Sequence, residues 1–467
     1  MSFGGGSGSG SIAGSTDVVL SSPANNNVLG YNSSLAKWQN QNLGSTYALV
    51  PTNGGRAVGK GELVINVKDY GAVGDGATDD TAAIVAAINA ATGGAPGAAP
   101  SPQRVGLKPV YLPRGEYRIT SQIKVLSVLN FVMYGDGSRQ TSISVGASVT
   151  DALLFDGCPG LHLSDLRIIG YGGIGGAGSV SGAGVAVDCI PAQVASWGTP
   201  ALIERVYVEE LNFKYGFGIG CNSGANDLSS VSLYECIVNG NRSNLDEGDA
   251  AYFQAGYKSG SGTAANVLNH QYMHCTGTFV RRLFHIDAVN MVSITYAHAS
   301  FLETALFVQS SGTTVYRDSR IEETRRLVMS AGGTANGANL TMENIIYSPG
   351  ANNASDRQVI QWYYPGNVLL RNLWLDQHNG AVEDWLIGVS TGGVTARQTN
   401  VLIDGIITTN ASALSLFSVA SATKCFVEVK GLVQSNWSVG VTGTYVGRKL
   451  LVYNGAAGDA GTSAVTT

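Results

Sequence analysis

Charge is scarce in this sequence: Asp, Glu, Lys and Arg together make up only 13% of its 467 residues. That scarcity argues against helical bundles and suits short strands joined by tight turns. Basic excess is missing too, since the formal net charge is −5, so no basic face points to nucleic acid. Cysteine is sparse: Cys158, Cys189, Cys221, Cys236, Cys275 and Cys425 show neither CxxC spacing nor a dense framework, and they read as small buried hydrophobes. The six histidines form no HExxH or related metal spacing, so neither metal nor cofactor is expected. No apolar run approaches the length of a membrane span. The opening MSFGGGSGSG has no basic segment and no apolar core, so no signal peptide is expected.

What is abundant is glycine, at 62 residues. The chain is too long for one compact core of ordinary type, but a solenoid escapes that limit because each repeat packs only on its neighbours. One stretch organises the rest. Leu63–Val67 reads as a strand, and Tyr70–Thr78 as a glycine-rich turn. Thr78 or Asp79 is placed to cap a helix whose apolar stripe is Ile84, Val85 and Ile88. Val110–Leu112 and Tyr117–Ile119 follow as strands around a Pro113–Arg114–Gly115 turn. The unit has the form of a lid over the end of something larger.

From about Ser142 onward one grammar repeats: alternating apolar residues, a polar residue near the strand end, then Gly or Asn. It appears at Leu161–Ile168, Leu202–Val208, Val231–Val238, Leu268–Cys275, Val292–Ala297, Val315–Glu322, Leu340–Tyr347, Val368–Leu375, Val401–Ile407 and Phe426–Val433. Asp318, Asn344, Asn372 and Asp404 recur at steps of 26, 28 and 32, a plausible coil period for a three-sided solenoid. Leu163, Ile203, Leu233, Met342, Leu370 and Ile403 are expected to point inward. Tyr171–Gly184, Asn222–Asp227 and Asn241–Gly262 read as insertions.

NVKDYGAVGDGATDDTAAI, followed by VYLPRGEYRI and Gly135–Asp136–Gly137, resembles the opening of the pectate-lyase-like superfamily of right-handed parallel β-helices, in the branch found in bacteriophage tailspikes and tail fibres. The segment DVVLSSPANNNVLGYNSSLAKWQNQNL resembles a short phage module that links such a body to the virion. These resemblances imply an all-β, single-stranded right-handed parallel β-helix with a capping helix. Residues 1–60 would be the flexible N-terminus and attachment module, 61–145 the cap and first coils, 146–454 the body, and 455–467 a low-complexity tail. They also imply a virion tail protein that contacts host-surface glycan from outside the cell, a homotrimer, and contact with other tail proteins. The alternative they leave open is a depolymerase, hydrolase or lyase, acting on capsule or O-antigen. A secreted plant-cell-wall enzyme would carry a signal, whereas a virion protein released by lysis needs none.

Hydrolysis of a glycan needs two carboxylates, about 5 Å apart in retaining enzymes and roughly 6.5–9.5 Å apart in inverting ones. Neighbouring coils about 4.8 Å apart supply the first spacing, and i, i+2 residues about 6.7 Å apart the second. If Val315 and Ile321 point inward, Tyr316, Asp318, Arg320 and Glu322 share the outer face. Asp287, Glu303, Asp318 and Glu322 are therefore the catalytic candidates. The same residues also suit an ordinary salt-bridged face or a subunit contact. A lyase would instead need a base and a cation against a uronate carboxylate, with Arg317, Arg320, Arg325 and Arg326 near at hand. Trp362, Tyr364, Trp374 and Asp376 are the candidates for stacking on a pyranose and binding its hydroxyls, or for packing between subunits. Asp246, Glu247 and Asp249 read as a solvated loop.

Overall fold

A computed structural model of the chain describes residues 63–94, 104–146, 149–170, 180–188, 200–209, 213–221, 228, 230–240, 255–260, 269–287, 289–309, 312–331, 337–349 and 358–375. It also describes the strands at 385–389, 398–408, 415–419, 424–433, 438–442, 449–454 and 465–466, and short strands before residue 60. The chain divides into two units, Met1–Ile65 and Asn66–Thr467. In the first unit, Lys37–Asn42 pairs antiparallel with Asn27–Asn32 and parallel with Val18–Val19.

The second unit is a parallel β-helix whose coils each present three strand faces. Face 1 carries Val132–Gly135, the first part of His162–Gly170 and of Ala201–Glu209, then Val231–Tyr234, His270–Met273 and Met291–Thr295. Face 2 carries Thr141–Val145, the second part of those longer strands, Ile237–Asn239 and Thr276–Thr278. Face 3 carries Leu153–Asp156, Val180–Asp188, Phe213–Ile219, Ala255–Ser259 and Arg282–Ile286. Gly312–Ser330 runs through all three faces without a break. From His270 to Val292 to Thr314 the coil period is 22 residues at each step.

Parallel pairing in register stacks like side chains. One inward column runs Leu163, Ile203, Leu233, Tyr272, Ile294, Tyr316, Met342, Leu370, Ile403, and every member is buried. The six residues expected to point inward all do so. Tyr316 corrects the expectation of an outward side chain, for it lies in the core while Val315 is outward and half-buried. The reason is local. Faces 1 and 2 meet at a single residue with positive φ, here Asp318 at 49°, and that left-handed residue resets the inward–outward alternation.

The same corner recurs at Asp165, Arg205, Glu235, His274, Tyr296, Asn344 and Asn372, with φ between 51° and 59°. In the next coil Arg371 pairs with Asp404 and Leu373 with Ile406, so Gly405, at φ 81°, takes the corner. The expected Asp404 is one residue off it.

Two segments expected to be insertions contain face 3. Val180–Asp188 and Ala255–Ser259 are strands, and their glycines are a packing requirement. A Cβ at Gly184 would come within 2.7 Å of Val208 Cγ1, and one at Gly216 within 2.7 Å of Val238 Cγ2.

The cap is α1, Thr81–Thr92, which buries Ile84, Ala87, Ile88 and Ala91. Its N-cap position is Asp80, not Thr78 or Asp79. Asp80 instead accepts the Val73 and Gly74 N–H groups at 2.7 and 3.1 Å, folding the preceding turn against the helix. Asp79 accepts the hydroxyls of Thr81 and Thr120, both at 2.6 Å. Part of the expected glycine turn is a strand, Asp75–Asp79. The Gly135–Asp136–Gly137 motif has a clear purpose, since Asp136 accepts the Tyr111 hydroxyl and the Arg114 N–H, each at 2.7 Å.

Candidate functional site

On face 1 the outward charges are ordinary surface pairs. Arg317, Glu343, Arg371 and Asp404 alternate in sign up four coils, at N···O distances of 3.2, 2.9 and 3.7 Å. Arg317 is exposed and Arg371 and Asp404 are half-buried, and pairs so open to solvent contribute little to stability.

Face 3 is different. Its outward row holds Lys258, His285, Phe307 and Met329 in one column, with Asp287 just past the strand end. Lys258, His285 and Asp287 face away from the lumen yet are only 5% exposed, which is rare for such groups. Lys258 Nζ stands 3.3 Å from Asp287 Oδ2. Burial lowers the Lys258 pKa even against the pull of that carboxylate. Burial also pushes His285 down to about 2, helped by the nearby Lys258 and Arg282 charges. Its ring Nε2 is 2.6 Å from Gln309 Oε1.

Around this floor stand Arg282, Tyr215 and Cys221. The Arg282 guanidinium lies 3.5 Å above the Phe307 ring, and burial lowers its pKa to about 10, so it stays charged at neutral pH. Burial raises Tyr215 and Cys221. Arg281, exposed at the edge, donates to Glu303 at 2.5 Å. Clusters of perturbed groups like this one are where enzymes keep acids, bases and anion receptors. Among the described residues, no group of three or more His, Cys, Asp or Glu could hold a metal ion.

Of the sequence-based candidates, the structure brings Asp287 and Tyr364 together. Tyr364 is buried and donates its hydroxyl to the Gln309 carbonyl, and burial and the Asp287 charge push its pKa up to about 12. The four carboxylates do not form a pair. Asp287 belongs to face 3, Glu303 to the approach to that face with Arg281, and Asp318 to the corner, where it accepts the Asn344 amide at 2.7 Å. Glu322 lies outward on face 2 beside Arg320 and 3.5 Å from His298.

The aromatic candidates divide. Trp362 is wholly buried in the lumen, where it cannot stack on a pyranose. Tyr364 is equally closed to solvent. Trp374 is outward and 44% exposed, with Leu373 and Leu375 inward as expected. Asp376, and Asp246, Glu247 and Asp249, lie outside the described residues. The reading of the sequence missed Lys258, His285, Arg282 and Tyr215. The missed signal was an alternation, GYKS followed by LFHI, in which a polar residue falls on the outward side of each face 3 strand.

Residues 64–164 match the family model described as rhamnogalacturonase A/epimerase, pectate lyase-like. The mannuronan C5-epimerase AlgE3 of Azotobacter vinelandii is 54% identical over 55 residues, which is 12% of this chain and 2% of that protein. The chain thus spans only a small fraction of that relative. Among solved structures, the A-module of mannuronan C-5 epimerase AlgE4 from A. vinelandii superposes with a TM-score of 0.51 at 17% identity, covering 81% of this chain and all of the module. The pre-mature gene product 12 of bacteriophage phi29 gives a TM-score of 0.49 at 17% identity, covering 81% of this chain and 52% of that one. The cap and first coils are pectate-lyase-like, and the fold is the right-handed parallel β-helix.

Proposed function

We propose that this chain is the β-helix body of a bacteriophage tail protein of the spike or fibre type, and that the outer side of face 3 is where it engages an acidic host-surface glycan. The observation that carries the reading is the cluster of Lys258, His285 and Asp287 on the outer side of face 3, three ionisable side chains held at 5% exposure. Arg281, Arg282 and Lys258 supply cations for carboxylate groups of a glycan. The likeness of residues 17–43 to a phage attachment module supports a place on the virion tail, outside the host cell when acting. A homotrimer that meets other tail proteins through its N-terminal segment completes this reading.

A second reading, favoured by the lowered Lys258 pKa, is that the site also cuts the glycan as a lyase. Arg282 would neutralise a uronate carboxylate, and Lys258, here as the uncharged amine rather than a cation, would take the proton on the adjacent carbon as the neighbouring C–O bond breaks. The electron pair of the broken C–H bond becomes the double bond of an unsaturated uronate, the pair of the broken C–O bond leaves with the oxygen, and that oxygen takes up a proton from water.

The test is the purified chain on a capsular polysaccharide and a polyuronate, following new reducing ends and near-ultraviolet absorbance separately. Absorbance that vanishes in Lys258→Met and survives in Glu322→Gln supports the lyase. Binding without product, lost in Asp287→Asn, supports a receptor-binding role. Loss of neither binding nor turnover in either face 3 variant would sink the assignment to face 3.

A further inference from the structure

Left-handed backbone suits Gly, Asn and Asp, and later corners between faces 1 and 2 use those residues: Asp318, Asn344, Asn372 and Gly405. The four corners before them do not. Arg205, Glu235, His274 and Tyr296 adopt φ of 51–55°, and none of them is Gly, Asn or Asp. Arg205 is accounted for by its two bonds to Asp165, at 2.6 and 2.9 Å. His274 and Tyr296 are not accounted for by burial, since both are exposed, Tyr296 by 51%.

Their rings lie nearly parallel, 4.9 Å apart with an interplanar angle of 16°, and Tyr234 meets His274 edge-on at 5.6 Å. The corners stack in order, because His274 N–H donates to the Thr295 carbonyl and Tyr296 N–H to the Arg317 carbonyl. The stack therefore ends at Tyr296, and the next corner, Asp318, is too short to cover an aromatic ring. A flat aromatic face thus rises over a step floored by Asp318, Asn344 and Asn372. Asn344 Nδ2 donates to Asp318 Oδ1 at 2.7 Å and Asn372 Nδ2 to Asn344 Oδ1 at 3.1 Å, and the three keep further acceptor and donor capacity.

An apolar ring face beside fixed carboxylate and amide groups has the chemistry of a sugar, whose pyranose presents C–H bonds on one side and hydroxyls at its edge. We propose that Tyr296 and Asp318 form a binding step for a single pyranose unit, on the corner between faces 1 and 2 and separate from face 3. Tyr296 stacks on the C–H face, and Asp318 with Asn344 binds vicinal hydroxyls. The strained corner is kept because an Asn there would leave no platform.

The test uses the full chain with cellohexaose and methyl β-galactopyranoside as probes, read by saturation-transfer NMR and by titration. Saturation should pass to pyranose C–H protons of at least one probe. Tyr296→Asn and Asp318→Ala should each weaken that binding at least about tenfold, equivalent to about 1.4 kcal/mol. Tyr296→Asn should melt at or above the wild-type temperature, because Asn favours the left-handed corner and extends the amide ladder. Absence of transfer to both probes, or unchanged affinity in Tyr296→Asn, overturns the proposal. A lower melting temperature in that variant with its affinity unchanged assigns the stack to stability instead. Lys124→Ala, at an exposed position on an early coil, serves as the control and should bind as the wild type does.

Discussion

Lys258 Nζ stands 3.3 Å from Asp287 Oδ2, and each side chain keeps only 6% of its exposure. The two residues belong to neighbouring coils, with Lys258 in register with His285. Two charges taken out of water attract strongly, but both give up hydration, so the pair adds little against an apolar replacement. Removing Asp287 strands the Lys258 ammonium. Asp287→Asn should cost about 3–5 kcal/mol, Lys258→Met should also destabilise, and Lys258→Met with Asp287→Leu should recover most of the Asp287→Asn loss. Denaturant melts of the three variants measure this. Equal losses in the single and double variants would show that the charges are not coupled.

Acid should loosen the β-helix below about pH 6.5, where free histidine takes up its proton. His270 lies in the lumen, with Nδ1 2.9 Å from Ser259 Oγ and Tyr272 alongside, and burial lowers its pKa to about 3. His285 is lowered to about 2. With folded pKa values depressed, the unfolded chain binds more protons between roughly pH 6.5 and 3, so stability falls with pH across that window. Each histidine contributes more than about 1 kcal/mol per pH unit there. Stability measured from pH 7 to 4 should fall less steeply in His270→Gln, and a slope identical to wild type would contradict the argument.

How far the sequence disclosed this molecule depends on the kind of residue asked. Inward positions such as Leu163 and Met342 were legible, because an apolar residue inside a strand pattern has one place to go. The cap was legible too, since its glycines and aspartates sit where turns and a helix start demand them. Tyr316 was misplaced because period-two reasoning was carried through Asp318, and no sequence rule marks an Asp as left-handed rather than extended. Face 3 was hidden by its own packing. Glycines at 184 and 216 look like turn residues, and only Val208 and Val238 across the lumen explain them. With face 3 unseen, Lys258, His285 and Arg282 had no common surface on which to be noticed, and Asp287 was proposed without the residues that surround it.

The lid rests on one carboxylate. Asp80 is 1% exposed and satisfies two backbone donors, those of Val73 and Gly74. Asp80→Ala removes the acceptor of both and should cost about 1–3 kcal/mol in all. Asp75→Ala, which removes bonds at an exposed site, should cost less. Comparing the two by thermal melt, and by proteolysis near residue 73, tests the difference. Equal losses would mean the turn is held by its glycines alone.

Gly184 and Val208 give the most direct check of why face 3 begins with glycine. A Cβ at 184 would sit 2.7 Å from Val208 Cγ1 and 3.0 Å from the Gly216 carbonyl oxygen. Val208 is wholly buried and stiff about its first side-chain bond, so it has little room to turn away. Gly184→Ala should therefore destabilise by about 1–3 kcal/mol through overpacking. Val208→Ala alone should also destabilise, by the methyls it removes. Together they should cost less than their sum, because the new methyl fills the space the old ones leave, and a coupling of about 0.5 kcal/mol or more is the measurable signature. Strict additivity would mean that the glycine answers to the backbone oxygen of Gly216 and not to the valine, and Gly184→Ala would then stay damaging whatever stands at 208.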